Sequence, residues 1–139
     1  EEFEREPEAP RASGSQTILV VDDEPLVRMV AVEILTELGY DVLEADDGPS
    51  AMRLLQSHRD ICLLLTDVGL PNGMNGRQLA DAARLGQPDL KVLFITGYAE
   101  NAVLNHGHLE RGMQVMTKPF SGEALARRVN DIIKGEQGS

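Results

Sequence analysis

The chain has 139 residues, 42% of them hydrophobic, which suffices for one folded domain with a sizeable core. Its 13 Lys and Arg residues are outnumbered by 23 Asp and Glu residues, so the net charge is −10. This acidity argues against direct binding of nucleic acid or of an anionic membrane surface, and favours a cation or a basic partner. The single cysteine, Cys62, excludes an internal disulfide and predicts a reducing compartment, the cytoplasm.

The two ends of the chain differ in composition from its middle. Residues 1–16 are rich in Glu and Pro and have no hydrophobic periodicity, which predicts an acidic flexible linker. Residues 17–134 have the pattern of a folded domain, and residues 135–139 predict a short tail. Because the chain begins with Glu1 rather than Met, we expect it to be a piece of a longer protein, with no output domain after the tail.

Short apolar runs alternate with amphipathic stretches from residue 17 onward. The runs at 18–21, 61–65, 92–95 and, more weakly, 115–116 are apolar throughout, as in strands covered on both faces, and 40–45 predicts a less buried strand. The uninterrupted apolar runs, at most five residues long, are too short to span a bilayer. The amphipathic stretches predict helices over 25–38, 49–58, 76–85, 99–110 and 121–134.

The first of these helices has the clearest pattern. Pro25 suits a first helical turn and Gly39 a helix end. Apolar residues recur between them at helical spacing and predict the buried face: Val27, Val30, Ala31, Ile34 and Leu38. By contrast, polar residues and a glycine dilute the apolar positions of 99–110, so we expect that helix to be short or mobile.

Five strands alternating with five helices predict an α/β fold with a doubly wound parallel sheet. Parallel strands need crossover connections, and those connections are right-handed. Ligands of such folds bind beyond the carboxyl ends of the strands, where the direction of winding reverses. We therefore expect any chemistry at that edge of the sheet.

Side chains that could take part in chemistry, namely carboxylates, a hydroxyl and an ammonium, follow four of the predicted strands. Each has an ordinary structural explanation on its own, since strand ends and helix starts attract such residues. Together, carboxylates at one edge would raise each other's pKa unless a cation neutralised them, and Mg²⁺ is the ion that suits oxygen ligands. The residues are Asp22, Asp23 and Glu24 after the first strand, Asp67 after the third, Thr96 after the fourth and Lys118 after the fifth.

An aspartate at the end of a buried strand, beside such a cation, is suited to attack a phosphoryl group and form an acyl phosphate. Thr96 and Lys118 would then bind the phosphoryl oxygens and stabilise their charge. The pattern predicts phosphoryl transfer to Asp67.

Four ordered motifs make the chain similar to a known family. They are DDEP at 22–25, LTDVGLP at 65–71, FITGY at 94–98 and KPF at 118–120. Over about residues 17–134 the chain resembles the receiver domain of bacterial two-component response regulators. The resemblance implies a flavodoxin-like five-stranded sheet of order 2-1-3-4-5 with helices on both faces.

The resemblance also implies roles for individual residues. Asp67 would be the phosphoacceptor, Thr96 the switch hydroxyl and Lys118 the ammonium that binds phosphate, with a cis peptide bond between Lys118 and Pro119. The ligands of Mg²⁺ would be the carboxylates of Asp22, Asp23 and Asp67 and the carbonyl of Gly69.

The sequence departs from the family's pattern at two places. Val115 stands where the family commonly has Tyr or Phe. In the family that aromatic side chain moves together with the switch hydroxyl on activation, and this aromatic readout is not expected here. The segment 71–76 is one residue longer than the commonest loop, a form found in receivers of hybrid histidine kinases. With the acidic tether, it favours the C-terminal receiver of a hybrid histidine kinase. The phosphodonor would be a histidine kinase or a histidine phosphotransfer domain.

Three alternatives remain open at this point. A free-standing single-domain response regulator is the second interpretation. A small phosphatase with an Asp nucleophile is disfavoured, because such enzymes place a second Asp two residues after the nucleophile and this chain has Gly69 there. A binding module with a vestigial site is disfavoured by the complete set of acidic, hydroxyl and ammonium side chains.

Overall fold

The computed structural model of the chain describes residues 16–97 and 111–134. In chain order the elements are β1 (Thr17–Val21), α1 (Pro25–Glu37), β2 (Asp41–Ala45), α2 (Gly48–Ser57), β3 (Ile61–Asp67), α3 (Gly76–Gly86), β4 (Lys91–Thr96), β5 (Met113–Thr117) and α4 (Gly122–Lys134). The predicted helix over 99–110, the tail and nearly all of the predicted linker lie outside the described residues, so those predictions stay predictions.

The five strands form one parallel sheet of order β2-β1-β3-β4-β5, which confirms the predicted fold class and strand order. The register aligns the carboxyl ends of the three central strands and of β5. Val21 lies opposite Thr66, Asp67 opposite Ile95, and Thr96 opposite Thr117. Residues that directly follow these strands therefore meet at one edge of the sheet.

Local sequence signals begin and end the helices. Pro25 occupies the first turn of α1, and Gly39 ends that helix with a φ of 101°, which glycine adopts readily. Asn75 and Gln78 form a capping box at the start of α3. The hydroxyl of Ser121 accepts a hydrogen bond from the Ala124 N–H at the start of α4.

A separate hydrophobic cluster covers each face of the sheet. On one face Leu64 and Phe94 pack with Leu79 of α3, and on the other Leu63 packs with Leu35 of α1 and Leu125 of α4. Successive strand residues point to opposite faces, so a strand buried on both sides has to be apolar at every position. This explains why the central strands appear in the sequence as unbroken apolar runs.

The predicted buried face of α1 differs from the structure at two positions. Val30 is 46% exposed, whereas Leu35, which the prediction left out, is fully buried. Leu26 and Met29 are exposed as well, so α1 has apolar residues on both its inner and its outer side. The spacing alone could not distinguish them, because so many residues of this helix are apolar.

Two further observations bear on the predicted environment of the chain. Within residues 16–97 and 111–134, no helix has the length and hydrophobicity needed to cross a bilayer. Cys62 lies partly buried in β3, where burial raises the pKa of its thiol and makes it a poor nucleophile at neutral pH. The predicted cytoplasmic location stays a prediction.

Candidate phosphoryl-transfer site

The carboxyl edge of the sheet brings the predicted site residues together. Asp22 and Asp23 follow β1, Asp67 ends β3, Thr96 ends β4 and Lys118 follows β5. The backbone N–H of Lys118 donates to the Thr96 carbonyl at 2.9 Å, which continues the pairing of β4 and β5 to the edge. Residues from four strand ends thus meet at one edge of the sheet, where Asp22, Asp23, Asp67 and Lys118 surround one hollow.

Lys118 lies between the carboxylates of this hollow. Its Nζ is 3.6 Å from Asp67 Oδ2, 3.8 Å from Asp22 Oδ2 and 3.5 Å from Glu24 Oε1. These distances are longer than those of a charge-assisted hydrogen bond, which are about 2.7–2.9 Å. The ammonium is therefore shared among three carboxylates and not committed to one.

Asp22, Asp23 and Asp67 form a group of carboxylates that suits a metal ion. One oxygen from each lies within 4.8 Å of the others, and Asp23 is exposed while the other two are buried. The donors are all oxygen, and one side of the group faces solvent. Mg²⁺ takes one or two carboxylates together with waters and phosphate oxygens, so this donor set fits it.

Burial makes the charge of Asp22 costly. Burial raises the pKa of Asp22 to about 6, although the hydrogen bond from the Glu24 N–H at 2.9 Å and the ammonium of Lys118 act in the opposite direction. Repulsion from Asp67 adds to the rise. The charged form of Asp22 is thus disfavoured in the folded chain, in spite of these two favourable contacts.

The surroundings of Lys118 favour its charged form, whereas those of Asp22 disfavour the charged form. Partial burial alone would lower its pKa, but the attraction of Asp67, Asp22 and Glu24 outweighs burial and raises it. The ammonium therefore remains charged at neutral pH. The peptide bond from Lys118 to Pro119 is cis, as the resemblance implies.

Thr96 and Gly69 lie at the edge, but nothing tests their predicted roles. Thr96 is fully buried, and its hydroxyl donates to the carbonyl of Gly97 at 2.9 Å. Gly69 is exposed, and its N–H points to Asp67 Oδ1 at 3.4 Å. The switch function of Thr96 and the metal ligation by the Gly69 carbonyl stay predictions.

The structure adds supporting residues that the sequence prediction did not assign. Arg28 Nη1 donates to the carbonyl of Asp22 at 2.7 Å, and its Nε lies 3.1 Å from Glu44 Oε1, so α1 braces the end of β1 against β2. Gly76, at the start of α3, donates its N–H to the Val68 carbonyl at 2.8 Å. A β-carbon at Gly76 would collide with the Asp67 carbonyl. No local sequence pattern predicts the contacts of Arg28 or of Gly76.

The longer loop after β3 is tied to α2. Asn72 Nδ2 donates to Asp47 Oδ2 at 2.6 Å, while Asp47 also caps α2 by accepting the Ser50 N–H. Asn72 and Gly73 both have positive φ, 68° and 87°, and Asn and Gly are the residues that adopt this region most readily. The Asn-Gly pair in the sequence was the available signal for this turn.

A model of the response regulator receiver domain family matches residues 18–130. The chain belongs to this family. Receiver domains act in two-component systems with histidine kinases or phosphotransfer proteins, and they generally use Mg²⁺ at an acidic site such as the one described above. The fold and the predicted family are both confirmed.

Two proteins of Brucella abortus are similar to this receiver domain. The response regulator receiver protein CpdR is 39% identical over 117 residues, which is 84% of this chain and 93% of CpdR. The sensor kinase CckA is 35% identical over 123 residues, 88% of this chain. The chain spans only 13% of the length of CckA.

Solved receiver structures agree with the fold. The receiver domain of the hybrid histidine kinase CckA superimposes with a TM-score of 0.71 at 35% identity, covering 84% of this chain and 98% of that one. A response regulator receiver protein from Sinorhizobium medicae gives a TM-score of 0.78 at 26% identity, with 88% and 98% covered.

Proposed function

We propose that this receiver domain takes a phosphoryl group from a phosphohistidine onto Asp67. The donor is a histidine kinase or a histidine phosphotransfer domain. The observation that carries the proposal is the position of the Lys118 ammonium, 3.6 Å from Asp67 Oδ2, within a hollow whose other carboxylates suit a divalent cation. We infer a cytoplasmic location from this partner and from the free thiol of Cys62.

Asp22, Asp23, Asp67 and the carbonyl of Gly69 would hold Mg²⁺. When bound, the ion neutralises the crowded carboxylates and stabilises negative charge on the phosphoryl oxygens. The oxygen donors fit this ion, and burial, with a smaller part from the repulsion of Asp67, raises the pKa of Asp22, whose charge a cation would stabilise.

The chain's own residues perform the transfer. An oxygen of Asp67 forms a bond to phosphorus while the P–N bond to the donor imidazole breaks, and the electron pair of that bond stays on the imidazole nitrogen. Lys118 lies close enough to Asp67 to pair with an oxygen of the incoming phosphoryl group. The product is an acyl phosphate on Asp67.

Thr96 would connect the phosphoryl group to the surface of the domain. Its hydroxyl donates to the Gly97 carbonyl in the structure, and an exchange of that partner for a phosphoryl oxygen would turn the side chain toward Asp67. Thr96 ends β4, so this exchange would bias a protein-binding surface formed around β4 and β5 between two states. Val115 of β5 would take part in that surface without the aromatic readout.

We infer that the domain functions within a hybrid histidine kinase, and the similarity to the receiver of CckA supports this context. A free-standing response regulator is the second candidate, favoured by the match to 93% of CpdR. The reading frame upstream of the codon for Glu1 distinguishes them. A kinase core encoded there supports the first context, and a start codon close by supports the second.

Mass spectrometry after incubation with acetyl phosphate and Mg²⁺ tests the phosphoacceptor assignment. We expect one added phosphoryl group in the parent chain and none in Asp67→Asn. Asp60→Asn, an exposed carboxylate at the opposite edge of the sheet, is the matched control and should be labelled like the parent. Equal labelling of the Asp67 variant and the parent, or no labelling of either, contradicts the proposal.

A further inference from the structure

Glu24 contacts the Lys118 ammonium, although the sequence analysis listed it at this edge of the sheet without assigning it a role. Its Oε1 lies 3.5 Å from Nζ, as close as the oxygens of Asp67 and Asp22 at 3.6 and 3.8 Å. Residues 24 and 118 are 94 positions apart in the chain, so the fold and not local sequence makes this contact. Glu24 is thus a third carboxylate that competes for the ammonium.

The ordinary explanation for an acidic residue at this position is helix capping, and the side chain does not provide it. Glu24 occupies the N-cap position of α1, but its carboxylate accepts no capping hydrogen bond. Glutamate is not among the preferred capping residues, which have shorter side chains. The Glu24 N–H donates instead to Asp22 Oδ1, and the Glu24 carboxylate reaches across the hollow to Lys118.

Glu24 lies on the solvent side of this group. Its side chain is 61% exposed, compared with 22% for Lys118, 7% for Asp67 and 5% for Asp22. A phosphodonor has to arrive from solvent, because the other side of the hollow is the sheet and its core. The charge of Glu24 therefore stands at the mouth through which the donor reaches Asp67.

We propose that Glu24 is a specificity-determining residue of this site. It draws the Lys118 ammonium toward the mouth, and its charge slows phosphorylation by doubly charged phosphodonors more than by singly charged ones. The inference rests on the proposed function, and it concerns which donors react fast and not whether Asp67 reacts.

The physical reason is a sharing of one cation among several anions. An ammonium has few N–H donors, and each one directed to Glu24 is lost to Asp67 or to an incoming phosphoryl oxygen. The negative charge at the mouth also repels an anionic donor, in proportion to the donor's charge. Because Glu24 is exposed, its effect is screened by salt, whereas a steric effect would not be.

Initial rates of Asp67 phosphorylation test the proposal. Acetyl phosphate carries two negative charges at neutral pH and phosphoramidate carries one; in both reactions the Asp67 oxygen displaces the leaving group, acetate or ammonia. At low ionic strength and saturating Mg²⁺, we expect Glu24→Gln to react with acetyl phosphate about two- to five-fold faster than the parent, the range that an exposed ion pair supports. The gain with phosphoramidate should be smaller, and both gains should vanish near 1 M salt.

Two variants serve as controls. Glu24→Asp keeps the charge and should react at close to the parent rate. Glu123→Gln removes an exposed glutamate of α4 that pairs with Arg127 on the same helix, and it should leave both rates unchanged. Thermal unfolding of each variant checks that it is folded before rates are compared.

Several outcomes would overturn the inference. They are equal rates for Glu24→Gln and the parent, equal acceleration with both donors, or an acceleration that persists at high salt. Identical behaviour of the Asp and Gln variants would also do so, because charge would then not matter. In all of these cases Asp67 is still labelled and the proposed function stands; failure of the parent itself to be labelled overturns both.

Discussion

The two ends of the parallel sheet carry the same residue type in opposite circumstances. At the amino end Asp41, Asp60 and Asp89 are exposed, and Asp60 accepts a hydrogen bond from the Thr17 hydroxyl at 3.1 Å. At the carboxyl end Asp22 and Asp67 are only 4% and 6% exposed. They lie there beside each other and share one ammonium.

This difference shows where the molecule accepts an electrostatic cost. An exposed carboxylate stays hydrated and contributes little in either direction, whereas a buried one loses its hydration and repels its neighbour. The raised pKa of Asp22, caused mainly by burial, reflects that cost. The carboxyl end therefore carries a cost in stability, the charging of buried Asp22, that the exposed aspartates of the amino end do not carry.

The largest expected effect breaks the carboxyl end by steric means. A β-carbon in Gly76→Ala would meet the Asp67 carbonyl and the Val68 backbone, so we expect a loss of about 3 kcal/mol in the free energy of unfolding, measured by urea titration. Gly86→Ala is the control at the other end of the same helix. Its β-carbon meets only the Arg59 side chain at 3.6 Å, so the variant should be unchanged or gain up to about 1 kcal/mol. Equal losses would refute the close packing at Gly76.

The next effect is stabilisation of the folded chain by Mg²⁺. At about 100 times its Kd, Mg²⁺ should stabilise the parent against unfolding by about 2.7 kcal/mol, because it binds only the folded site. Asp23→Asn, which alters the exposed carboxylate of the group, should need a higher Mg²⁺ concentration for the same stabilisation. Asp81→Asn on α3 should behave like the parent. Indistinguishable titrations of the Asp23 variant and the parent would remove Asp23 from the ligand set.

A smaller effect measures the cost of charging Asp22, which comes mainly from burial and in smaller part from the repulsion of Asp67. In metal-free buffer the pKa rises from 3.8 unfolded to about 6 folded, so the folded state binds the extra proton between these values and loses stability as pH rises through them. Above pH 6 Asp22→Asn should therefore be more stable than the parent by about 1 to 3 kcal/mol, and the difference should disappear near pH 4. Asp60→Asn should show no such gain. A gain that does not depend on pH would exclude the titration of Asp22 as its cause.

The smallest effect concerns Asp47, a carboxylate at the carboxyl end that accepts several hydrogen bonds. Hydrogen bonds from Ser50, and also from Asn72, lower the pKa of Asp47, so its stabilising contribution is present at neutral pH and lost as the pH falls below its ordinary value. Asp47→Ala should lower the melting temperature slightly at pH 7 and by less at pH 3, where part of the contribution of the carboxylate is already lost. Asn72→Gly removes the loop contact but keeps the cap, so it should lose less. A larger loss in the Asn72 variant would assign the stabilisation to the loop.

Sequence reasoning located the strands well where both faces are buried, and less well elsewhere. The predicted run at 61–65 stopped before Thr66 and Asp67, which are polar but buried because the strand continues to the site. The run at 115–116 was too short, because Gln114 interrupts it in a strand that pairs on one side only. Apolar patterns detect burial by hydrophobic side chains and miss residues that are buried for another reason.

The sequence offered candidate site residues, whose roles stay predictions, and gave no sign of the residues that support them. Asp22, Asp67 and Lys118 could be named because each ends or follows a strand. Glu24 looked like an acidic residue favoured by a helix start, and only its distance to Lys118 shows another use. Gly76 could not be recognised at all. Only glycine fits at this position because the backbone of β3 leaves no room for a β-carbon, and the sequence does not show that packing.

The amino-acid sequence determined the order of buried strands and helices, since hydrophobic periodicity is a local property that reflects which faces leave water. It also determined which chemical groups stand at the strand ends. The tertiary structure alone decided their distances, their burial and which carboxylates share the Lys118 ammonium. Those quantities depend on strand register and helix packing, which bring together residues nearly a hundred positions apart.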